Sequence, residues 1–319
     1  MTRRAALFVL ALAAIAVFAP ALAPYDPATT HRGYLSAPPM PPRIADASGW
    51  RAPFIYPVVL ADRLAQRYEE DRARTQPLPW YAADDVAPAF LIGADSFGRD
   101  LLSRLLFGAR ATIGLSLVAT LAALLLGTLI GGLAGYRGGW IDEAAMRLAD
   151  FVMVLPIIYV VLVLRALLPL VLPASVVFTL MTVIFALVGW PFVARGVRGI
   201  ISGERTRDYV VAARSLGAAG PRIFVRHLLP ACAGYLMAQA TLLLPAFILA
   251  EATLSYVGLG FPESVPTWGT MLVESADVNV MTRFPWMLAP AVAIFFVVLS
   301  ANVILRSGKI ERSISRTDR

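Results

Sequence analysis

The sequence is poor in charge. Of its 319 residues only 15% are Asp, Glu, Lys or Arg, while 58% are hydrophobic, and the mean hydropathy is +0.70. A water-soluble domain carries about a quarter charged residues, so the composition implies a polytopic membrane protein. One cysteine, Cys232, excludes an intrachain disulfide; beside an apolar run it reads as a small buried hydrophobe. The two histidines, His31 and His227, lack cysteines or carboxylates at metal-ligand spacing, so no metal site is expected. The only lysine, Lys309, sits in "RSGKIE", and no G-x-x-x-x-G-K-[ST] stretch occurs. The chain therefore has no phosphate-binding loop of its own. Nor is there a His–Cys set or separated acid pair suited to a membrane enzyme; the adjacent Asp84 and Asp85 read as solvated loop residues.

What is there is apolar and long. Spanning the hydrocarbon core takes about 20 residues of helix, and six stretches qualify: Ala5–Ala23, Ala111–Gly135, Ala144–Leu168, Ala174–Ala194, Ala231–Tyr256 and Trp286–Leu305. The first has a rival reading as a signal peptide, with Arg3 and Arg4 before it and "ALA" at its end. Pro24 after that cut site favours an uncleaved anchor. Arginines set the orientation. With the N-terminus inside, the inner segments hold Arg137, Arg147 and the group Arg195, Arg198, Arg205, Arg207, Arg214, Arg222 and Arg226, and also the basic tail 306–319. The segment 24–110 is near neutral, with nine arginines against ten acids between Pro24 and Ala109. The net charge of +7 is then an orientation signal and not a nucleic-acid footprint.

Between spans, "SAPPMPPRIADASGW" should be extended, and "LADRLAQRYEEDRA" (Leu60–Ala73) predicts a short surface helix. "GADSFGRDLLSRLLFGAR" (Gly93–Arg110) predicts an amphipathic helix at the interface. Ala119, Ala123, Gly127, Gly131 and Gly135 recur every fourth residue, a face on which another helix, from this chain or another, can come close. Pro156 and Pro245 fall inside spans and predict kinks, with a path-lining role as the functional alternative. Arg165 can reach the outer interface by its stem. Glu251, an acid within a span, either lines a wet cavity or bonds neighbouring backbone.

The stretch "DYVVAARSLGAAGPRIFVRHLLPA" interrupts the apolar pattern. Asp208 can cap a helix; Tyr209, Ala212, Ala213 and Leu216 then share a flat face. Gly217 suits a left-handed stop, Pro221 suits the first turn of a second helix, and Pro230 should break that helix before the fifth span. A knob of two short helices results. It is either a docking element or an arginine-rich surface loop.

"AA", three residues, "G", nine residues and "HLLP" resemble the cytoplasmic EAA loop of ABC-importer permeases. "GADSFGRDLLSRLLFGAR", "WIDEAAMRLADFVMVLP", "GWPFVARGVRG" and "ATLSYVGLGFPESVPTWGTML" are similar to stretches of the oligopeptide/dipeptide/nickel subfamily, in the same order, from Gly93 to about Asn302. The chain departs from the pattern at Val211, where the loop's Glu is usual, at Ala94, where Thr is usual, and in its tail. The resemblance implies an all-α integral membrane protein with six transmembrane helices and the type I importer fold, in a bacterial inner membrane. Its parts would be a first helix 1–23, an extracytoplasmic segment 24–110, a permease core 111–305 and a cytoplasmic tail 306–319. The docking loop 195–230 would present Asp208, Ala212, Ala213, Gly217, Pro221, His227 and Pro230 to an ATPase subunit. The implied partners are a second permease subunit, two ATPase subunits using ATP and Mg, an extracytoplasmic solute-binding protein and membrane lipid. The cargo of such systems is a short peptide, a nickel chelate or glutathione. A stand-alone secondary transporter would favour internal repeats and more intramembrane ionisable residues.

Overall fold

The computed structural model describes residues 7, 10, 11, 14, 17–46, 49–63, 66–81, 87–156, 159, 160, 163 and 172–317. Part of the first apolar run, the Asp84–Asp85 pair and Arg165 lie outside them, as does much of the second half of Ala144–Leu168. Among the described residues four helices are long and apolar enough to cross a membrane: Leu101–Arg137 (α1), Ala174–Glu204 (α3), Gly220–Tyr256 (α5) and Pro285–Ile304, the last belonging mostly to helix Ala289–Thr317 (α8). Shorter helices are Gly139–Val154 (α2), Asp208–Ser215 (α4), Trp268–Glu274 (α6) and Val278–Arg283 (α7). The chain divides into two compact units. One holds 113–251 and both chain ends; the other holds 14–112 and 252–295.

The second unit corrects the all-α expectation. Its extramembrane part carries five short strands: Arg43–Asp46 (β1), Gly49–Ile55 (β2), Val58–Asp62 (β3), Arg67–Glu70 (β4) and Gln76–Pro77 (β5). They form an antiparallel sheet β1-β2-β5 and a separate hairpin β3-β4. The hairpin stands where a helix was expected over Leu60–Ala73. Two runs of four or five residues are too short for a stable helix but suffice for strand pairing. Gln66, just before β4, takes the left-handed conformation (φ 50°). Phe90, Ile55, Met40, Val58 and Ala37 make a small core beneath these strands.

The predicted interfacial helix over Gly93–Arg110 also differs. Residues 93–100 form a loop, and the helix starts at Leu101 and runs unbroken into the span as α1. Asp100 marks the start: its Oδ2 accepts from the Ser103 amide (2.8 Å) and the Ser103 hydroxyl (2.7 Å). That capping bond satisfies a first-turn N–H. Arg104 points into protein rather than to water. Its guanidinium meets Asp95 (3.1 Å) and Glu274 (2.7 Å), and Arg99 bridges the same two acids (2.6 and 2.7 Å). Arg104 is 2% exposed and Asp95 fully buried. Four charges of two signs thus tie the 93–100 loop and the first turns of α1 to α6. Trp268 completes the joint, its indole N–H donating to the Leu105 carbonyl (3.1 Å).

In the first unit α2 and α3 pack through Ala149, Trp190 and Ala194, with Leu126 and Ile130 of α1 against them. Outside this apolar contact Arg198 grips Asp142 through Nε (2.8 Å), and Arg195 pairs with Asp150. Arg198 holds the Asp142 carboxyl below the usual carboxylate range. α2 stops at Val154 because Leu155, before Pro156, is extended (ψ 120°). Pro156 therefore breaks the third apolar run instead of kinking it. The chain turns helical again beyond it, Tyr159 N–H donating to the Pro156 carbonyl (3.0 Å). Pro245 lies inside α5, as Pro191 does inside α3.

Candidate docking surface and groove

α3 extends well past its apolar stretch and ends at Glu204. Arg205 follows, its guanidinium donating to the Tyr136 carbonyl (3.1 Å). The chain then enters α4. Arg207, not Asp208, is the N-cap residue, and Asp208 lies one position inside, in the first turn. The expected cap is thus replaced by an acid in the first turn, which the helix dipole favours. Val210 is the single buried residue of α4 and anchors it. The opposite side is open: Tyr209 is 42% exposed, Leu216 is 88% exposed, Ala212 is exposed and Ala213 half-buried. Tyr209 donates its hydroxyl to Glu204 (2.6 Å), and its ring tilts against His227 at 6.2 Å. This hydrogen bond raises the phenol's pKa. Val211, at the position where the resembling loop has Glu, is 50% exposed.

The stop after α4 is a double bond pattern. The Ala218 N–H donates to the Ala213 carbonyl (3.1 Å) and the Gly217 N–H to the Arg214 carbonyl (3.0 Å). This closes the orphan carbonyls of the last turn. It requires Gly217 at φ 82°, a conformation an L side chain rarely adopts. Pro221 then opens α5 in its first turn.

Pro230 does not break that helix. A single π-helical turn, Phe224–Leu228, precedes it, and the helix runs on to Tyr256. Proline lacks the N–H that an α-helix would use at this point, and the wider turn absorbs the missing bond. His227 is half-buried and Pro230 exposed on this stretch. Ile223 and Leu228 are buried beneath it, as is Ile201 of α3. The knob is therefore buried on one side and exposed on the other.

Gly127, Gly131 and Gly135 line the side of α1 that lies on α3. A Cβ on Gly131 would fall 2.7 Å from the Ala194 Cα, one on Gly127 2.5 Å from the Val193 Cβ, and one on Gly135 2.7 Å from the Arg198 carbonyl. The helix that comes close is thus in the same chain.

Of the candidate path residues, Pro156 stands apart, after α2. Pro245 and Glu251 lie on α5 and are buried. Beside Pro245 a groove of about 420 Å³ runs between α3 and α5. Phe185 and Phe247 stack in it with centroids 5.1 Å apart. Its polar group is Gln239, whose amide donates to the Tyr235 hydroxyl (3.0 Å). Gln239, Phe185 and Phe247 were not singled out from sequence, since pairs this far apart leave no spacing signal.

Long apolar helices and a close-packed helix core define a polytopic membrane protein, with an exposed basic knob outside the apolar stretches. The chain belongs to the family of binding-protein-dependent transport system inner membrane components, whose model matches residues 127–307. It is 36% identical over 213 residues to the oligopeptide transport system permease protein OppC of Bacillus subtilis (strain 168), covering 66% of this chain and 67% of that one. It is 32% identical over 299 residues to the di/tripeptide transport system permease protein DppC of Pseudomonas aeruginosa (strain UCBPP-PA14), covering 93% of this chain and 82% of that one. OppC of Lactococcus lactis subsp. cremoris is 32% identical over 215 residues, 67% of this chain and 71% of its own. The protein is an ABC-importer permease subunit, a multi-pass component of the bacterial inner membrane.

Proposed function

We propose that this permease forms half of an import path for short peptides or a related small solute, opened and closed by alternating access. The relatives' names, oligopeptide and di/tripeptide permeases, support the cargo class. A second permease subunit supplies the other half, and a solute-binding protein delivers cargo on the extracytoplasmic side. Two ATPase subunits use ATP and Mg; this chain contributes no catalytic group. The full architecture is six spans, the first and third being the runs that lie partly outside the described residues. Extracytoplasmic segment 24–110, core 111–305 and cytoplasmic tail 306–319 complete it. The groove beside Pro245, with Glu251 less than two turns on, belongs to the path; Pro156, after α2, acts as a break in the third span.

The docking loop 195–230 transmits the ATPase movement. The observation that carries this is the open face of α4, with Ala212 and Ala213 small enough for a partner to approach, above the anchored Val210. Asp208, Pro221, His227 and Pro230 shape and flank that face. The test is Ala213→Arg, which blocks the face, and Gly217→Val, which strains the turn. Both sites lie outside the apolar stretches, so the protein should still insert. The expected result is normal permease level with loss of uptake and of ATPase co-purification. Full ATPase binding and full uptake in both variants would reject the docking role.

A further inference from the structure

A second groove, of about 450 Å³, lies between the last turns of α1 and the first turns of α5. We propose that it holds an acidic phospholipid, with an acyl chain along α1 and the phosphate at Arg137. The proposal rests on the membrane insertion of the chain and not on the docking role of α4.

The body of the groove is apolar. Leu129, Leu133, Phe224 and Val225 line it. Gly132 makes its depth: a Cβ there would fall 2.6 Å from the Phe224 ring, which occupies that space instead. The Tyr136 ring meets Phe224 edge-on at 6.3 Å and walls the lower end. Above it, Leu121, Leu125, Leu129 and Leu133 follow at four-residue spacing, each between 45% and 61% exposed. In a bilayer such a stripe meets acyl chains, so the groove is a continuation of the lipid-facing side of α1.

The mouth is cationic. Arg137 ends α1, is exposed and has no carboxylate partner among the described residues. The Tyr136 hydroxyl makes no hydrogen bond among the described residues and can donate to a phosphate oxygen. An apolar slot ending in an uncompensated arginine matches an anionic headgroup on an acyl chain. A protein partner would have to enter along the membrane-facing stripe to fill the same slot.

The test uses the assembled transporter, purified and supplied with phosphatidylglycerol, with phosphatidylcholine of the same chains, or with inorganic phosphate. Native mass spectrometry counts what remains bound. One phosphatidylglycerol should be retained about fivefold more than phosphatidylcholine, the ratio expected from one basic contact. Arg137→Gln should abolish that preference and Arg137→Lys keep it. Leu133→Trp, which fills the groove, should expel the lipid with Arg137 intact. ATPase co-purification should be unchanged in Arg137→Gln, which separates this idea from the docking reading. Equal retention of the two lipids, or an unaltered preference in Arg137→Gln, would overturn the proposal. So would displacement by inorganic phosphate, or a photoreactive residue at Val225 that crosslinks to an ATPase subunit and not to lipid.

Discussion

An amphipathic interfacial helix over Gly93–Arg110 would put Arg104 on its polar side, yet Arg104 is among the largest fully buried side chains of the described residues. Its partners Asp95 and Glu274 lie nine and 170 residues away, and no periodicity reports a contact of the second kind. Burial raises the Glu274 carboxyl's pKa even against the pull of Arg104, so the pairing compensates the desolvation only in part. Removing one member leaves the others uncompensated, which costs about 3–5 kcal/mol for a buried pair. Arg104→Met should therefore lower the melting temperature of the detergent-solubilised protein sharply, whereas the exposed ion pair changed by Arg147→Met should leave it nearly unmoved. Equal melting of both variants and wild type would mean the cluster does not hold α1 to α6.

Asp100 gives a pH test at the same scale. Burial pushes its carboxyl up to about 6 from the usual 3.8, opposed by the Ser103 hydrogen bonds and helped by the negative charge of Asp95. The folded state then holds the proton more tightly than the unfolded state. The ionised carboxylate costs stability at neutral pH, and that cost is relieved as pH falls through about 6 toward 4. Asp100→Asn keeps a capping oxygen and loses the charge. The melting temperature of Asp100→Asn minus that of wild type should be positive near pH 7 and shrink toward pH 5. A difference that is flat or grows on acidification would show that Asp100 is not the buried acid described here. Asp142 works the other way: Arg198 lowers its pKa, so its contribution fades only under stronger acid.

At the scale of elements, what could be read from sequence was what local chemistry decides. α4, the Gly217 stop and Pro221 in the next first turn each follow from signals within a few residues; the last two stand where those signals put them, and the cap of α4 falls one residue before the expected Asp208. Local reasoning failed where the same residue has two structural outcomes. Pro230 can end a helix or be absorbed by a π-turn, and the choice depends on burying Leu228 and Ile223 together. "LADRLAQRYEEDRA" has helix-forming composition, but the pairing of β3 with β4 accompanies Val58 in the small core and Tyr68 packed against it, contacts that composition does not report. The spacing of Gly127, Gly131 and Gly135 gave the face but not its partner, because a small-residue stripe says only that something approaches. With α3 as that partner, Gly131→Leu forces a side chain into the Ala194 backbone. Overpacking of this kind costs about 1–3 kcal/mol. The variant should show reduced melting temperature and less assembled transporter, while Gly199→Leu, whose Cβ would meet nothing within 4 Å, should behave as wild type. Identical assembly of the two variants would remove the close-packing reading.

For the whole molecule, the arginine distribution makes a claim that covers every segment at once. Short loops rich in Lys and Arg stay on the cytoplasmic side. The seven arginines between Arg195 and Arg226 belong to one such loop, whereas Pro24–Ala109 balances nine arginines against ten acids. Several of the latter arginines are spent locally: Arg43 pairs with Glu70 (3.1 Å) and Arg99 with Asp95 and Glu274. They carry little free charge to hold the segment inside. Thr75 and Thr206 are exposed positions on the two segments in question. A cysteine placed at each in turn, in a Cys232→Ala background that removes the buried native thiol, reports sidedness to an impermeant thiol reagent. In intact spheroplasts position 75 should label and position 206 should label only after lysis. The reverse pattern would put the α4 knob outside, where no ATPase could reach it, and the docking reading would fall together with the orientation.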